Sequence, residues 1–168
     1  GQLFTFYMEL KRVVVTGIGA VTPVGNTAEE TWHSMLAGVS GAAPITHFNA
    51  EKFKTQFACE VKSFDATKYI DRKEARKMDL YCQFALAAAQ MAVEDSGMDV
   101  ETLDRNRAGV VMGVGIGGMR TYEEEVISYA KTAETIGPKF SPFFVPKMIA
   151  DICAGHISIK YGFHGPNY

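Results

Sequence analysis

Cys153 and His156 stand three residues apart in a segment that reads as a helix, which puts a thiol and an imidazole on one face. Such a pair could serve as a thiolate–imidazole nucleophile or as half of a metal site. The sequence completes neither use. No second ligand pair accompanies them, and the neighbouring Ala150, Ala154 and Gly155 are small residues suited to close packing. The expectation is a buried, inert thiol and a hydrogen-bonded histidine. Cys59 and Cys82 are remote from Cys153 and from each other, with no Cys-x-x-Cys pair. Three such cysteines suit free thiols in a reducing cytosol better than a disulfide framework. His33, His47 and His164 belong to no constellation. Glu123-Glu124-Glu125 reads as the acidic first turn of a helix.

Gly113-Val114-Gly115-Ile116-Gly117-Gly118 satisfies the Gly-x-Gly-x-x-Gly pattern between an expected strand and an expected helix, the context of a dinucleotide site. The stretch beyond that helix opposes such a use. Residues 131–142 contain no apolar strand ending in an acidic residue to hold a ribose, and Glu134 falls in a polar loop. Two readings stay open: glycines permitting a tight turn, or glycines lining a substrate channel.

Arg72, Lys73, Arg76 and Lys77 cluster at the start of an expected helix, with positions four apart on one face. Cations at a helix N-terminus oppose its dipole, so their placement asks for another reason. An acidic partner would supply one. A solvated charged face, partly offset by Glu74 and Asp79, is the alternative.

These residues need elements to position them. Lys11 to Val21 is a β-branched apolar run ending in glycines, which predicts a strand buried on both faces. Thr27 with Glu30 reads as a capping box, opening a short helix that carries Trp32, Met35 and Leu36 and stops at Gly38. Residues 39–56 read as a loop and 57–61 as a weak strand. Asp71 with Glu74 predicts a long helix ending at Gly97, alanine-rich enough from Phe84 to Val93 to sit close against another element. Arg107 to Val114 returns to strand character, and Thr121 with Glu124 predicts the next helix. Pro142 and Pro146 bracket the start of a last helix. The order predicts an α/β layer architecture with too few strands to cover its helices.

At 168 residues, 47% hydrophobic and 21% charged, the composition is that of a globular protein. A formal net charge of −2 gives no global reason for nucleic acid, and no apolar run reaches the length of a membrane span. Residues 1–7 read as an added remnant or frayed extension, with Met8 as the expected natural start.

Three features carry a resemblance when taken together: Val13-Val14-Val15-Thr16-Gly17-Ile18-Gly19, the turn at residues 113–118, and Phe140-Ser141-Pro142-Phe143-Phe144-Val145-Pro146. The last opens a helix through Ala154-Gly155-His156 to Tyr161-Gly162, followed by Gly165-Pro166-Asn167-Tyr168. From Met8 to Tyr168 the chain resembles the N-terminal part of a β-ketoacyl-[acyl carrier protein] synthase of the type II, elongating class. The resemblance implies a thiolase-like α/β fold, in complete relatives two similar halves stacked as helix-sheet-helix-sheet-helix. It implies fatty acyl elongation by decarboxylative Claisen condensation. In that reaction a cysteine takes the acyl chain, two histidines help decarboxylate malonyl-carrier, and the carbanion attacks the thioester.

The family's nucleophile follows the Gly-Pro-Asn turn and its histidines come later. The resemblance therefore implies no catalytic residue within these positions and no condensing activity for this chain alone. It implies no cofactor and no metal, acyl and malonyl thioesters as substrates, an acyl carrier protein as partner, a homodimer, and a cytoplasmic location without nucleic acid or membrane. Ile116, with Gly115 and Gly117, matches the turn that lines and gates the acyl channel. Phe144 matches a residue that reaches a partner's acyl pocket across the dimer. Arg72, Lys73, Arg76 and Lys77 match the carrier-docking patch, to which Lys139 is added. The rival expectation is a non-catalytic partner subunit of the chain-length-factor type.

Overall fold

The computed structural model describes residues 11–137 and 139–168. The extension at residues 1–7 and the start at Met8 lie outside them. In chain order the elements are α1 (Ala28–Leu36), β1 (Ala43–Pro44), β2 (Phe57–Ala58), α2 (Arg72–Ala75), α3 (Leu80–Asp95), α4 (Met119–Thr132), α5 (Phe144–Met148) and α6 (Ile152–Tyr161). Helix α3 packs on α6 and α4 on α5. The core lies mainly between the first pair: Met78, Cys82, Ala85 and Leu86 meet Cys153, Ala154 and Ile157, with Ile70 and Val110 closing the cluster.

The capping box forms. Thr27 Oγ1 accepts from Glu30 N–H at 3.1 Å, while Glu30 Oε2 reaches back to Asn26 N–H at 2.7 Å. Helix α1 ends where Gly38 takes φ +67°, which a side chain rarely adopts. Trp32, Met35 and Leu36 remain 58–66% exposed, so this apolar face is uncovered by the described residues.

The long helix expected from Asp71 to Gly97 is two helices. Asp71 caps α2 through Lys73 N–H, but a second cap follows at once, with Asp79 accepting from Tyr81 N–H. Carbonyls freed at the break find a donor in Gln83, whose Nε2 donates to Ala75 O at 2.9 Å and Met78 O at 3.1 Å. Cys82 accordingly sits in the first turn of α3. The last helix is also split. The carbonyls that α5 leaves unpaired accept from Gly118 N–H, to Met148 O at 2.9 Å, and from Tyr81 Oη, to Ile149 O at 2.5 Å.

Two strand expectations change. Residues 11–21 form no ladder among the described residues, and Val13 and Val15 are 90% and 81% exposed. A strand exists only where another backbone lies alongside. Here Ile18 N–H donates instead to Asp95 Oδ2 at 2.8 Å. The run lies flat on α3, where a Cβ at Gly17 or Gly19 would collide with the carbonyls of Ala92 and Ala88. That close approach is the one the alanines of α3 predict. Of residues 107–114, Val110 pairs in parallel with Asn167, through Val110 N–H to Pro166 O at 2.8 Å and Tyr168 N–H to Val110 O at 3.0 Å. A two-residue antiparallel ladder pairs Ala43 with Ala58 and Pro44 with Phe57, so the weak strand expected at residues 57–61 forms at its start and its partner lies inside the stretch expected to be a loop.

Asp79 ties α3 to α4. Helix α4 begins at Met119 after Gly118, so Thr121 is not its cap; its hydroxyl donates to Asp79 Oδ2 at 2.5 Å. Glu123-Glu124-Glu125 therefore falls past the first turn. Asp79→Ala removes a cap and a cross-helix bond together and is expected to lower stability by about 1–3 kcal/mol. Urea unfolding measures it, and a change below about 0.5 kcal/mol would mean that water replaces both bonds.

Candidate functional site

The glycine turn divides into two halves. A Cβ at Gly113 or Gly115 would meet nothing within 4 Å. At Gly117, with φ +93°, it would strike Met148 O, and at Gly118 it would strike Lys147 O. The second half is thus a tight turn laid on the end of α5, and the first half is open. Gly118 N–H, one of the donors a bound phosphate would need, is spent on Met148 O. The dinucleotide reading loses its anion cradle there.

Ile116 is 71% exposed among the described residues. With Met119, Tyr122, Met148 and Ile149 it lines an apolar pocket of about 280 Å³. The sequence singled out only Ile116. Met119 and Tyr122 follow it at three-residue steps onto the first turns of α4, a spacing that would have found them. Met148 and Ile149 arrive from the end of α5, much further along the sequence, where the chain breaks before α6.

Phe144 is half-buried within its own chain. Its ring stacks on Phe140 at 5.4 Å and Tyr122 at 6.2 Å, and Phe140 stacks on Tyr129 at 5.2 Å. These rings, with Ser141 N–H donating to Glu125 Oε2 at 3.1 Å, clamp residues 140–144 onto α4.

Arg72, Lys73 and Arg76 are exposed, while Lys77 is partly buried. Lys77 pairs with Glu74 at 2.6 Å and lies 5.9 Å from the centre of the Phe143 ring. The basic cluster thereby touches the segment whose far end, Met148, walls the apolar pocket. Lys139 is exposed just before Phe140.

Cys153 is fully buried, its thiol donating to Ala150 O at 3.6 Å, and desolvation raises its pKa. Burial pushes the Cys82 thiol up to about 12, helped by Cys153 and Asp79. Desolvation lowers the His156 imidazole, partly opposed by Glu74. Its ring makes no hydrogen bond among the described residues, where one was expected. Cys59 is exposed. These positions hold no activated nucleophile. They offer an apolar pocket, a basic face, and a segment joining the two.

The family model described as "Beta-ketoacyl synthase, N-terminal domain" matches residues 10–168. The chain is 46% identical over 160 residues to the 3-oxoacyl-[acyl-carrier-protein] synthase 2 of Vibrio harveyi, covering 95% of this chain and 38% of that protein. It is 43% identical over 165 residues to the synthase of the same name from Synechocystis sp., with the same coverage of both. The chain thus spans about two fifths of the length of the curated relatives it matches. Among solved structures it resembles the ishigamide ketosynthase/chain length factor, with a TM-score of 0.81 at 28% identity over 92% of this chain and 38% of that one. It also resembles a type II PKS ketosynthase in complex with its acyl-carrier protein, with a TM-score of 0.73 at 29% identity over 92% of this chain and 40% of that one. The fold is the thiolase-like α/β architecture of the ketosynthases.

Proposed function

The chain belongs to the β-ketoacyl synthase family, whose N-terminal domain it carries, and from that premise we propose that it is part of a 3-oxoacyl-[acyl carrier protein] synthase elongating fatty acyl chains. Residues 8–168 form its acyl-channel and carrier-docking part. Ile116, Gly115 and Gly117 line the channel, and Arg72, Lys73, Arg76, Lys77 and Lys139 receive an acidic acyl carrier protein. The assembled enzyme condenses acyl and malonyl thioesters by decarboxylative Claisen chemistry, as a cytoplasmic homodimer. Phe144 serves the channel from the clamped aromatic segment.

One observation carries this reading: Lys77 over Phe143 ties the basic face to the segment whose far end, Met148, lines the pocket. A carrier docked on the exposed cations would deliver its acyl thioester beside the apolar cavity. The electrostatics favour an acidic partner, because the exposed cations Arg72, Lys73 and Arg76 stand together on one short segment. No helix among the described residues is long and apolar enough to cross a membrane.

Replacing Ile116 with Phe tests the channel. The added ring fills a pocket whose walls cannot easily recede, so hexadecanoate binding to the chain should fall at least about tenfold while octanoate binding holds. Displacement of cis-parinarate fluorescence reads both. An equal fall on both ligands with a lower Tm would make Ile116 a packing residue.

The resemblance to a ketosynthase/chain length factor supports a second reading, a non-catalytic partner subunit of the same fold. Carrier binding without condensation, in a complex with an active synthase, would favour it.

A further inference from the structure

One wall of the apolar pocket cannot hold itself in place. Met148 and Ile149 reach the pocket from the end of α5, a helix of five residues, far short of the length at which a helix is stable alone. The ring stacks around Phe144 fix the other end of α5. At Ile149 the backbone turns extended, with φ −66° and ψ 137°, and its carbonyl has no helical donor. This end is held from outside the helix, by Gly118 N–H donating to Met148 O at 2.9 Å and Tyr81 Oη donating to Ile149 O at 2.5 Å.

Tyr81 stands outside the pocket it secures. It belongs to α3 and lines a separate groove with Gly113, Val114 and Gly115, the open half of the glycine turn. Asp79 fixes its placement, accepting from Tyr81 N–H at 3.3 Å and from the Thr121 hydroxyl at 2.5 Å. Thr121 falls between Met119 and Tyr122, which form the α4 wall of the same pocket. Asp79 and Tyr81 therefore tie the α4 wall and the α5 wall to one reference point at the start of α3. Burial above all, then Cys82, Cys153, Asp79 and Asp151, raises the pKa of the Tyr81 phenol, so it remains a donor throughout the neutral range.

We propose that Tyr81 is a positioning residue for acyl-chain length: its hydroxyl, through Ile149 O, fixes the α5 wall relative to the α4 wall and so makes the pocket discriminate among alkyl chains. The proposal rests on the acyl-channel reading above. A fixed wall rewards the chain that fits it and penalises the others, whereas a wall free to shift accommodates each in turn. Tyr81→Phe keeps the ring and removes the bond. Affinities of octanoate, dodecanoate and hexadecanoate for the 168-residue chain are read by cis-parinarate displacement. The spread between the tightest and the weakest of the three should shrink at least about threefold, the scale of one lost hydrogen bond. Ser34→Ala, which removes a 2.8 Å bond to Val24 O at α1, should lower Tm without changing the spread. An ester in place of the Ile149–Ala150 amide weakens the same acceptor while leaving Tyr81 intact, so it decides the matter even where Tyr81→Phe fails to fold. Ala150 N–H, which the ester removes, makes no hydrogen bond among the described residues. The ester should flatten the spread as Tyr81→Phe does. If Ile116→Phe changes the spread while Tyr81→Phe and the ester leave it intact, the positioning role is wrong and the channel reading stands. If the unaltered chain binds all three ligands alike, the channel reading fails and the positioning role with it. An equal flattening by Ser34→Ala also overturns the proposal, since lost stability alone would then explain it.

Discussion

Reversing charge at Lys73 and Arg76 to Glu is expected to weaken binding of an acyl carrier protein to this chain by about 10–100-fold and to flatten its salt dependence. Both side chains are exposed and neither forms an ion pair among the described residues, so the substitutions break no contact of the fold. Ala75 and Met78, which do anchor this segment in the core, are untouched. Lys73→Glu lies in the first turn of α2 and Arg76→Glu at its C-cap, so their effects on the helix dipole oppose and stability should change little while binding collapses. Lys77 is the wrong position for this test. Its ammonium is held by Glu74 and lies over Phe143, and changing it would mix docking with packing. Titration by fluorescence anisotropy at two ionic strengths decides the matter. Unchanged affinity would return the cluster to a solvated charged face.

The difference between what could and could not be read from the residues is physical. Capping is local, and Thr27 with Glu30 could be seen in four letters. Asp71 with Glu74 was equally visible, yet it predicted too long a helix. Residues 76–79 contain neither glycine nor proline, and what ends α2 is a second cap, Asp79, secured by Thr121 from another helix. The break between α5 and α6 is likewise written elsewhere, in Tyr81 and Gly118, which take the freed carbonyls. The apolar run at residues 11–21 has the pattern of a buried strand, but a ladder needs a second backbone that no pattern within the run supplies. Glycines 17 and 19 were legible only as the glycine end of that run, while the structure uses them for close passage over Ala92 and Ala88. At the site, the basic cluster showed itself by charge and spacing. Met119 and Tyr122 had only their three-residue spacing from Ile116, which does not tell a pocket wall from a core face, since both are built from the same residue types.

Incubating the chain with a labelled long-chain acyl donor and mapping its peptides should leave Cys82 and Cys153 unlabelled. Acyl transfer to sulfur needs the thiolate. With its pKa pushed up to about 12, Cys82 is held as the neutral thiol at neutral pH. Its place in the first turn of α3 would ordinarily favour the anion through the helix dipole, so desolvation wins here by a wide margin. Cys153 is also wholly buried, and its hydrogen bond runs from the thiol to Ala150 O, which stabilises the protonated form. His156, one turn along α6, could act as its base only if a third group oriented the imidazole, and none does so among the described residues. Cys59 is exposed and could react with a small alkylating reagent. No imidazole or cation hydrogen-bonds to it among the described residues, so it should take no acyl group at a catalytic rate. Unfolding in urea should make all three thiols equally reactive, which checks that burial is the cause. Stoichiometric acylation of Cys153 in the folded chain would overturn this account and make residues 150–156 an acyl acceptor in their own right.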